Sequence, residues 1–186
     1  DVLQTYLMSR SFRAERGLLA AVRPVGGANL WTFGRDLQVS RTPYWIPRER
    51  TRGRAKFEES AQELRRVLQW TLRRQLAGRR RMAIALSGGL DSVAVLALAR
   101  HVRPDLEITS YTIGHSEQDP EIIRAREAAQ HFGTTHREIF LPPERVPEEL
   151  DRLVWLTEDL TGREEALLQQ VLAEEMSGRE REYLAG

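Results

Sequence analysis

The sequence predicts an α/β fold built on a parallel sheet. Short apolar runs at 82–86, 107–113 and 135–140 have the length of buried strands, and stretches with helical apolar spacing separate them. Strands and helices that alternate in this way form βαβ units. Their crossovers are right-handed and place helices on both faces of the sheet. Residues 183–185 predict a fourth parallel strand.

Further elements are predicted on both sides of these strands. Near the N-terminus we expect a short helix at 2–8 and a hairpin with strands at 29–33 and 37–41 around the turn at 34–36. Two helices at 146–156 and 163–176 follow the third strand, and Gly178 is a plausible C-cap. A long helix before the first strand is predicted by six apolar residues at helical spacing: Phe57, Ala61, Leu64, Leu68, Leu72 and Leu76.

The turn after the first predicted strand of the sheet combines residue types that suit a bound anion. It reads Ser-Gly-Gly-Leu-Asp-Ser over 87–92 and opens a helix that we expect to pack on the sheet through Leu90, Val93, Leu96 and Leu98. Helix N-termini attract anions, and glycines let a phosphate approach without a Cβ in the way. The carboxylate of Asp91 would repel a phosphate unless a cation lay between them, which indicates Mg²⁺.

The alternative interpretation is a tight turn in which Asp91 only caps the helix. Five specified residues at roughly 5–7% usage each would match by chance in on the order of one in ten thousand chains of this length. The correct flanking strand and helix lower that frequency further. We therefore favour a phosphate-binding turn.

Residues 87–92 resemble the SGGxDS pyrophosphate-binding loop of the ATP-pyrophosphatase, or PP-loop, superfamily. They do not match a Walker loop, because the G-x-x-x-x-G-K-[ST] pattern and its lysine are missing. The resemblance implies a Rossmann-like domain of the adenine nucleotide alpha hydrolase type, which binds ATP and Mg²⁺. It also implies that a substrate carboxylate or amide oxygen attacks the α-phosphorus, so that an adenylate forms and pyrophosphate leaves.

The flanking stretches are similar to the asparagine synthetase-like branch of that superfamily. The predicted hairpin and the exit at Tyr44, Trp45 and Pro47 resemble the end of an amidotransferase domain. Residues 108–141 are similar to the family's second strand, alanine-rich helix and Gly-Thr-x-His turn. The resemblance implies that residues 1–45 are the C-terminal remnant of a glutamine-amidotransferase-like β domain. Residues 46–186 would be the N-terminal part of the ATP-binding domain.

The same resemblance assigns the remaining nucleotide contacts. The backbone at Leu86 and Ile113 would contact adenine over the carboxyl ends of the first two strands, which we expect to flank the topological switch point. Gly186 would belong to the start of a second glycine-rich segment. The predicted cofactor-binding residues, with Asp91 as the metal ligand, are Leu86, Ser87, Gly88, Gly89, Asp91, Ser92, Ile113 and Gly186.

The implied function is an amide-forming ligase of the asparagine synthetase type, acting in asparagine biosynthesis or on a related amide. β-Lactam synthetases and lasso-peptide cyclases look similar over this region and also adenylate a carboxylate before closing a ring. A catalytically inactive nucleotide-binding fragment is the third hypothesis. The nucleophilic cysteine of a glutaminase domain is absent, and the family's second acidic segment and lysine would follow Gly186. We therefore expect this chain alone to be inactive, with an exposed edge at its last strand.

Composition argues against several other classes of function. With 28 basic and 27 acidic residues the net charge is +1, which gives no argument for a nucleic-acid partner. The absence of cysteine excludes disulfides and cysteine-ligated zinc and suits a cytoplasmic protein. No apolar stretch approaches the ~20 residues of a membrane span. The expected partners are a small-molecule or peptide carboxylate substrate and an amidotransferase domain that is missing or separate.

Other polar residues give weaker signals. The arginines at 79–81 are typical of a solvated turn, and Glu117 and Asp119 suit an N-cap. Glu158 and Asp159 are expected to face solvent. We expect a packing role for His136 and no zinc site, because metal-ligand spacing is missing from the four histidines: His101, His115, His131 and His136.

Overall fold

The computed structural model describes residues 2–9, 19, 21–47, 56–158 and 164–186. The chain forms two compact units, residues 1–54 and 55–186. In the first unit, helix α1 spans Val2–Ser9, and strands β1 (Asn29–Phe33) and β2 (Val39–Pro43) pair as an antiparallel hairpin. Within the part of the chain that is described, no helix is both long enough and apolar enough to span a bilayer.

The hairpin's second strand starts two residues later than the prediction. Leu37 adopts a left-handed conformation with φ of 63° and therefore belongs to the turn. The turn closes with two backbone hydrogen bonds, from the Gly34 N–H to the Gln38 carbonyl at 2.8 Å and from the Leu37 N–H to the Gly34 carbonyl at 3.0 Å. The carboxylate of Asp36 also accepts a hydrogen bond from the Gln38 N–H. The prediction of β1 is confirmed, and that of the start of β2 is wrong.

The second unit contains a four-stranded parallel sheet with the strand order β5-β4-β3-β6. The predicted α/β class and parallel sheet are confirmed, and each sheet strand lies within one residue of its predicted bounds. In chain order the elements are α2 (Phe57–Gln75), β3 (Arg81–Ala85), α3 (Leu90–Val102), β4 (Glu107–Gly114), α4 (Pro120–Phe132), β5 (Thr135–Phe140), α5 (Val146–Thr157), α6 (Glu164–Ser177) and β6 (Tyr183–Leu184). The predicted first residue of α6, Arg163, lies outside the described residues.

The strand order corrects the expected position of the switch point. β3 pairs with β4 on one side and with β6 on the other, so the order of the strands reverses between β3 and β6. We expected the reversal between β3 and β4, and that prediction is wrong. In open α/β sheets the ligand crevice lies at the carboxyl ends of the strands beside the reversal. The residues that follow β6 therefore lie next to the turn that follows β3.

Helices cover both faces of this sheet. Met82, Ile84 and Leu86 point to one face, where they pack with buried residues of α2, α3 and α4. Ala83 and Tyr111 point to the other face, where they pack with α6. A third apolar cluster joins α5 to α6 through Leu141, Leu153, Leu167 and Val171. The prediction of helices on both faces is confirmed.

Two arginines bind backbone carbonyls at the amino ends of the strands. The Arg100 guanidinium donates to the carbonyls of Phe132, Gly133 and Leu106 at 3.1, 3.1 and 2.8 Å. Arg103 donates to carbonyls at the end of α2 and in the turn that follows it. The last carbonyls of a helix have no partner within that helix, so these contacts satisfy them and tie the helix ends together.

Candidate functional site

Two serines hold the turn between β3 and α3 in one conformation. Ser92 is 4% exposed, and its Oγ lies 3.1 Å from both the Ser87 Oγ and the Gly89 carbonyl oxygen. The Ser87 N–H donates to the Ser92 Oγ at 3.3 Å, and the Gly89 N–H donates to the Ser87 Oγ at 3.3 Å. The protons of both hydroxyls are used within the turn, so the two serines support the conformation of the turn itself.

The two glycines of the turn have different surroundings. Gly88 has φ of 70°, and a Cβ on it would lie 2.7 Å from both the backbone nitrogen of Ala125 and the Cβ of Arg124. Helix α4 thus fills the space beside Gly88. Gly89 is the N-cap of α3, and a Cβ there would meet only the Ser87 Oγ, at 3.3 Å. Gly89 is therefore the glycine that leaves an open approach for an anion.

Leu90 and Asp91 form the outward-facing part of the turn. Leu90 is 85% exposed, so the prediction that it packs on the sheet is wrong, because α3 begins beyond the carboxyl end of β3. Asp91 is also exposed, in the first turn of α3. Among the described residues no group of three or more metal-ligating side chains is present. A single carboxylate fits a Mg²⁺ ion that arrives with phosphate oxygens as its other ligands.

A pocket of about 390 Å³ lies at the carboxyl ends of β3, β4 and β6. Residues from α4 and α6 also line it, including the carboxylates of Glu121 and Glu165. Five of the eight predicted site residues line the pocket: Leu86, Ser87, Ser92, Ile113 and Gly186. The other three lie on the adjoining turn: Gly88, Gly89 and Asp91.

Gly186 is in backbone contact with the start of α3. A Cβ on Gly186 would come within 2.6 Å of both the backbone nitrogen and the Cα of Ser92. Real Cβ atoms do not approach backbone so closely, so only glycine fits at this position without a shift of the chain. The structure therefore brings Gly186 together with the Ser87–Ser92 turn, which is more than 90 residues away in sequence.

The backbone at the strand ends offers different groups at Leu86 and Ile113. The Leu86 N–H donates to the Tyr111 carbonyl at 2.8 Å, and the Leu86 carbonyl accepts from the Thr112 hydroxyl. Leu86 thus keeps one acceptor site on its carbonyl. Backbone groups alternate sides along a strand, and the backbone carbonyl of Tyr111 points to β3. The N–H and carbonyl of Ile113, two residues later, therefore point to the same side, beyond Ala85, the last residue of β3 that pairs with β4. Ile113 is therefore the position that presents free backbone to the pocket.

Comparison with protein-family models identifies this region. The family described as asparagine synthase matches residues 63–182, which include the turn, the strands β3 to β5 and most of the pocket. The chain belongs to the asparagine synthase family.

Individual relatives support the same family. The chain is 28% identical to the glutamine-hydrolysing asparagine synthetase of Gallus gallus, over 55% of this chain and 19% of that protein. Asparagine synthetase 3 of Bacillus subtilis is 28% identical over 78% of this chain and 26% of that protein. Carboxyethyl-arginine beta-lactam-synthase of Streptomyces clavuligerus is 32% identical over 55% of this chain and 20% of that protein. The chain thus spans between a fifth and about a quarter of the length of these relatives.

One solved structure that matches this asparagine synthase family member has low sequence identity to it. An NH3-dependent NAD synthetase from Campylobacter jejuni matches with a TM-score of 0.43 and 12% identity, over 67% of this chain and 54% of that chain. The fold assignment therefore rests on the sheet of this chain and on its family.

In this asparagine synthase family member, Tyr111 holds the segment that precedes β6, a role that the sequence did not predict. Its side chain is buried, and its hydroxyl donates to the Glu180 Oε1 at 2.9 Å. Burial, together with the hydrogen bond to Glu180, raises the pKa of Tyr111 and keeps the phenol protonated as a donor. The bond holds the segment before β6 and so helps to place Gly186. A tyrosine in a strand gives no sequence signal of such a partner.

His136 lies in a buried polar cluster away from the pocket lining, in the packing role that we predicted. Its Nδ1 is 2.8 Å from the Ser110 Oγ, and its Nε2 is 3.7 Å from the Glu138 Oε1. Burial lowers the pKa of His136. Arg126 binds Glu138 through two hydrogen bonds of 2.7 and 2.9 Å and lowers the pKa of that carboxyl.

Asp119 is the N-cap of α4, and its carboxylate accepts from the Glu121 N–H at 2.9 Å, which confirms the capping prediction for Asp119. Glu117 lies before the cap, so the prediction is wrong for that residue. Glu158 is exposed, as predicted, whereas Asp159 lies outside the described residues.

Proposed function

We propose that this chain provides the ATP-binding part of a ligase that adenylates a carboxylate, releases pyrophosphate and joins the acyl group to an amine. The observation that supports this function best is the Ser87–Ser92 turn, which opens α3 beside a pocket that Ile113 and Gly186 also line. Membership in the asparagine synthase family supports the reaction class. The activated substrate is a small-molecule or peptide carboxylate.

The turn would bind the β- and γ-phosphates of ATP. The N–H groups of Leu90 and Asp91 at the start of α3 would donate to phosphate oxygens, and the open side of Gly89 would let those oxygens approach. The Asp91 carboxylate would hold Mg²⁺, which would neutralise part of the phosphate charge. Since such reactions depend on positioning and charge stabilisation, the rigid hydroxyl network of the turn would set the direction in which pyrophosphate leaves.

The pocket would hold the adenosine part of ATP. Its volume of about 390 Å³ falls within the range of small-ligand sites. We place the adenine ring against the backbone of Ile113, with the remaining acceptor site of the Leu86 carbonyl as a second contact. The α-phosphorus would then lie between this pocket and the turn, open to attack by a carboxylate oxygen.

Two acceptors fit the same adenylation half. Ammonia from an amidotransferase domain would give a primary amide, which is the product expected by analogy with the glutamine-hydrolysing asparagine synthetases that this chain resembles. An internal amine would close a ring, and the 32% identity to a beta-lactam-synthase favours keeping this second candidate. Supplying the complete protein with either a glutamine-derived amine or a substrate carrying its own amine would distinguish the two.

The experiment that tests the nucleotide site is titration calorimetry with Mg·ATP. We expect the wild-type chain to bind, and Asp91→Asn to bind about tenfold more weakly while keeping its melting temperature, since one charged ligand of the metal is lost. Asp151→Asn, an exposed carboxylate on α5, is the matched control and should bind as the wild type does. No binding by the wild type would contradict the proposed function. Equal binding by Asp91→Asn would contradict only the role of Asp91.

A further inference from the structure

The proposed phosphate site has little positive side-chain charge of its own. Among the described residues that line the pocket are two carboxylates, Glu121 and Glu165, and no arginine, lysine or histidine. Asp91 adds another negative charge on the turn. Unless a cationic side chain lies just outside this lining, only backbone N–H groups and a metal ion would balance the negative charge of a triphosphate.

Arg124 on α4 is such a cation. A Cβ placed on Gly88 would lie 2.7 Å from the Arg124 Cβ, so the base of this side chain is packed against the turn. The residue is exposed, and its side chain forms no ion pair or hydrogen bond with another residue that the structure describes. Three methylene groups carry the guanidinium away from the helix, which is long enough to reach the neighbouring anion site.

Other arginines near α3 and α4 are already engaged. Arg100 and Arg103 bind carbonyls at the amino ends of the strands, away from the turn. Arg126, two residues from Arg124 on the same helix, is bound to both oxygens of Glu138. Of the described arginines on α3 and α4 and at their ends, Arg124 is therefore the one whose guanidinium remains available to a ligand.

We propose that the Arg124 guanidinium binds the β- or γ-phosphate of the nucleotide held by the Ser87–Ser92 turn. The inference rests on the proposed function and adds a residue that no motif in the sequence identifies. A guanidinium presents a planar pair of donors that matches two phosphate oxygens. Bound in this way, Arg124 orients the pyrophosphate as leaving group and offsets charge that the Mg²⁺ ion leaves uncompensated.

The test compares Arg124→Gln and Arg124→Lys with the wild type in titrations with Mg·ATP, Mg·pyrophosphate and AMP. Arg124→Gln should weaken binding of ATP and pyrophosphate by about tenfold, because charge-assisted hydrogen bonds to phosphate are lost. Arg124→Lys should lose less, since it keeps the charge but not the paired donors. AMP lacks the β- and γ-phosphates, so its affinity should stay unchanged.

Arg80→Gln is the matched control, an exposed arginine just before β3 at the opposite end of the strand. It should bind all three ligands as the wild type does. Equal pyrophosphate affinity of the wild type and Arg124→Gln would overturn the role of Arg124 alone. Equal loss of AMP and pyrophosphate affinity would also overturn it, because the side chain would then act on the fold. If the wild type bound neither ATP nor pyrophosphate, the proposed function and this inference would both be wrong.

Discussion

Gly186 and Ser92 touch through their backbones, with space for hydrogen but not for a methyl group between them: a Cβ on Gly186 would come within 2.6 Å of the Ser92 nitrogen. This contact joins the end of β6 to the first turn of α3 across the switch point of the sheet. It links the position of residue 186 to the conformation of the proposed phosphate-binding turn.

Replacement of Gly186 by alanine should therefore weaken Mg·ATP binding. The added methyl group meets backbone atoms that cannot rotate away, so either the end of β6 or the turn must move. We expect a loss of affinity of about tenfold, equivalent to 1.4 kcal/mol, measured by calorimetry. Gly178→Ala is the control, because a Cβ there meets nothing within 4 Å. Unchanged affinity in Gly186→Ala would show that the backbone at residue 186 can move without changing the conformation of the turn.

Gly88→Ala should destabilise the fold more than Gly78→Ala. Both glycines have positive φ, of 70° and 73°, so both substitutions carry a similar backbone cost of about 1 kcal/mol. Only at Gly88 would the added Cβ meet the backbone of α4, 2.7 Å from the nitrogen of Ala125. The overlap should add about 1–3 kcal/mol to the loss of unfolding free energy. Chemical denaturation of the two variants measures the difference, and equal losses would mean that α4 moves aside freely.

The nucleotide base should be read by backbone groups and not by the side chain of Ile113. Ile113→Val keeps the backbone and most of the bulk, so ATP affinity should stay within about twofold of the wild type. GTP should bind more weakly than ATP, because guanine presents a carbonyl where adenine presents an amine. Competition titrations on the wild type and Ile113→Val check both expectations. A large loss in Ile113→Val, or equal affinity for GTP, would contradict this interpretation.

Folding stability should fall as the pH drops below about 6.5. The pKa of His136 is lowered by burial, so below its ordinary value of 6.5 the unfolded chain takes up a proton that the folded chain does not. The loss grows until the pH reaches the lower pKa of the folded state. Glu138 acts at lower pH: its pKa is lowered mainly by the hydrogen bond from Arg126. Its contribution to stability is complete above its ordinary pKa of 4.5 and is lost as the pH falls through the folded value.

Denaturation midpoints at about pH 7.5 and about pH 5.5 measure the histidine contribution. The wild type should lose stability over this interval, and His136→Gln should lose less. His101→Gln, which removes an exposed histidine of α3, should behave as the wild type does. The same pH dependence in His136→Gln and the wild type would exclude His136 as the cause.

Local patterns were sufficient to predict most elements of the second unit. β5 has its predicted bounds, Thr135–Phe140, because it alternates between two faces and ends before a proline-rich turn. Asp119 was recognisable as a possible cap because acidic residues at the start of a helix are typical N-caps. The predicted site residues came from a short motif and its resemblance to a family. The structure places them at the carboxyl ends of the strands and on the adjoining turn.

Features that depend on packing between distant segments were not predictable in the same way. The side of the sheet on which β6 pairs decides the switch point, and no residue of β3 or β4 indicates it. The helical spacing of the apolar residues predicted that Leu90 belongs to the core, yet it is exposed beyond the carboxyl end of β3. The proximity of Arg124 to Gly88 arises only from the way α4 packs against the turn.

The contacts of Arg100 have a consequence for how the phosphate-binding turn can open. One guanidinium joins the C-terminal end of α3 to the carbonyls of Phe132 and Gly133 at the end of α4. The helices α3 and α4, which meet at Gly88, are thus also joined at their C-terminal ends, and we expect them to move together. Separating α3 from α4 would break both hydrogen bonds from Arg100 to the end of α4, so we expect release of a product from the turn to depend on movement on the β6 side.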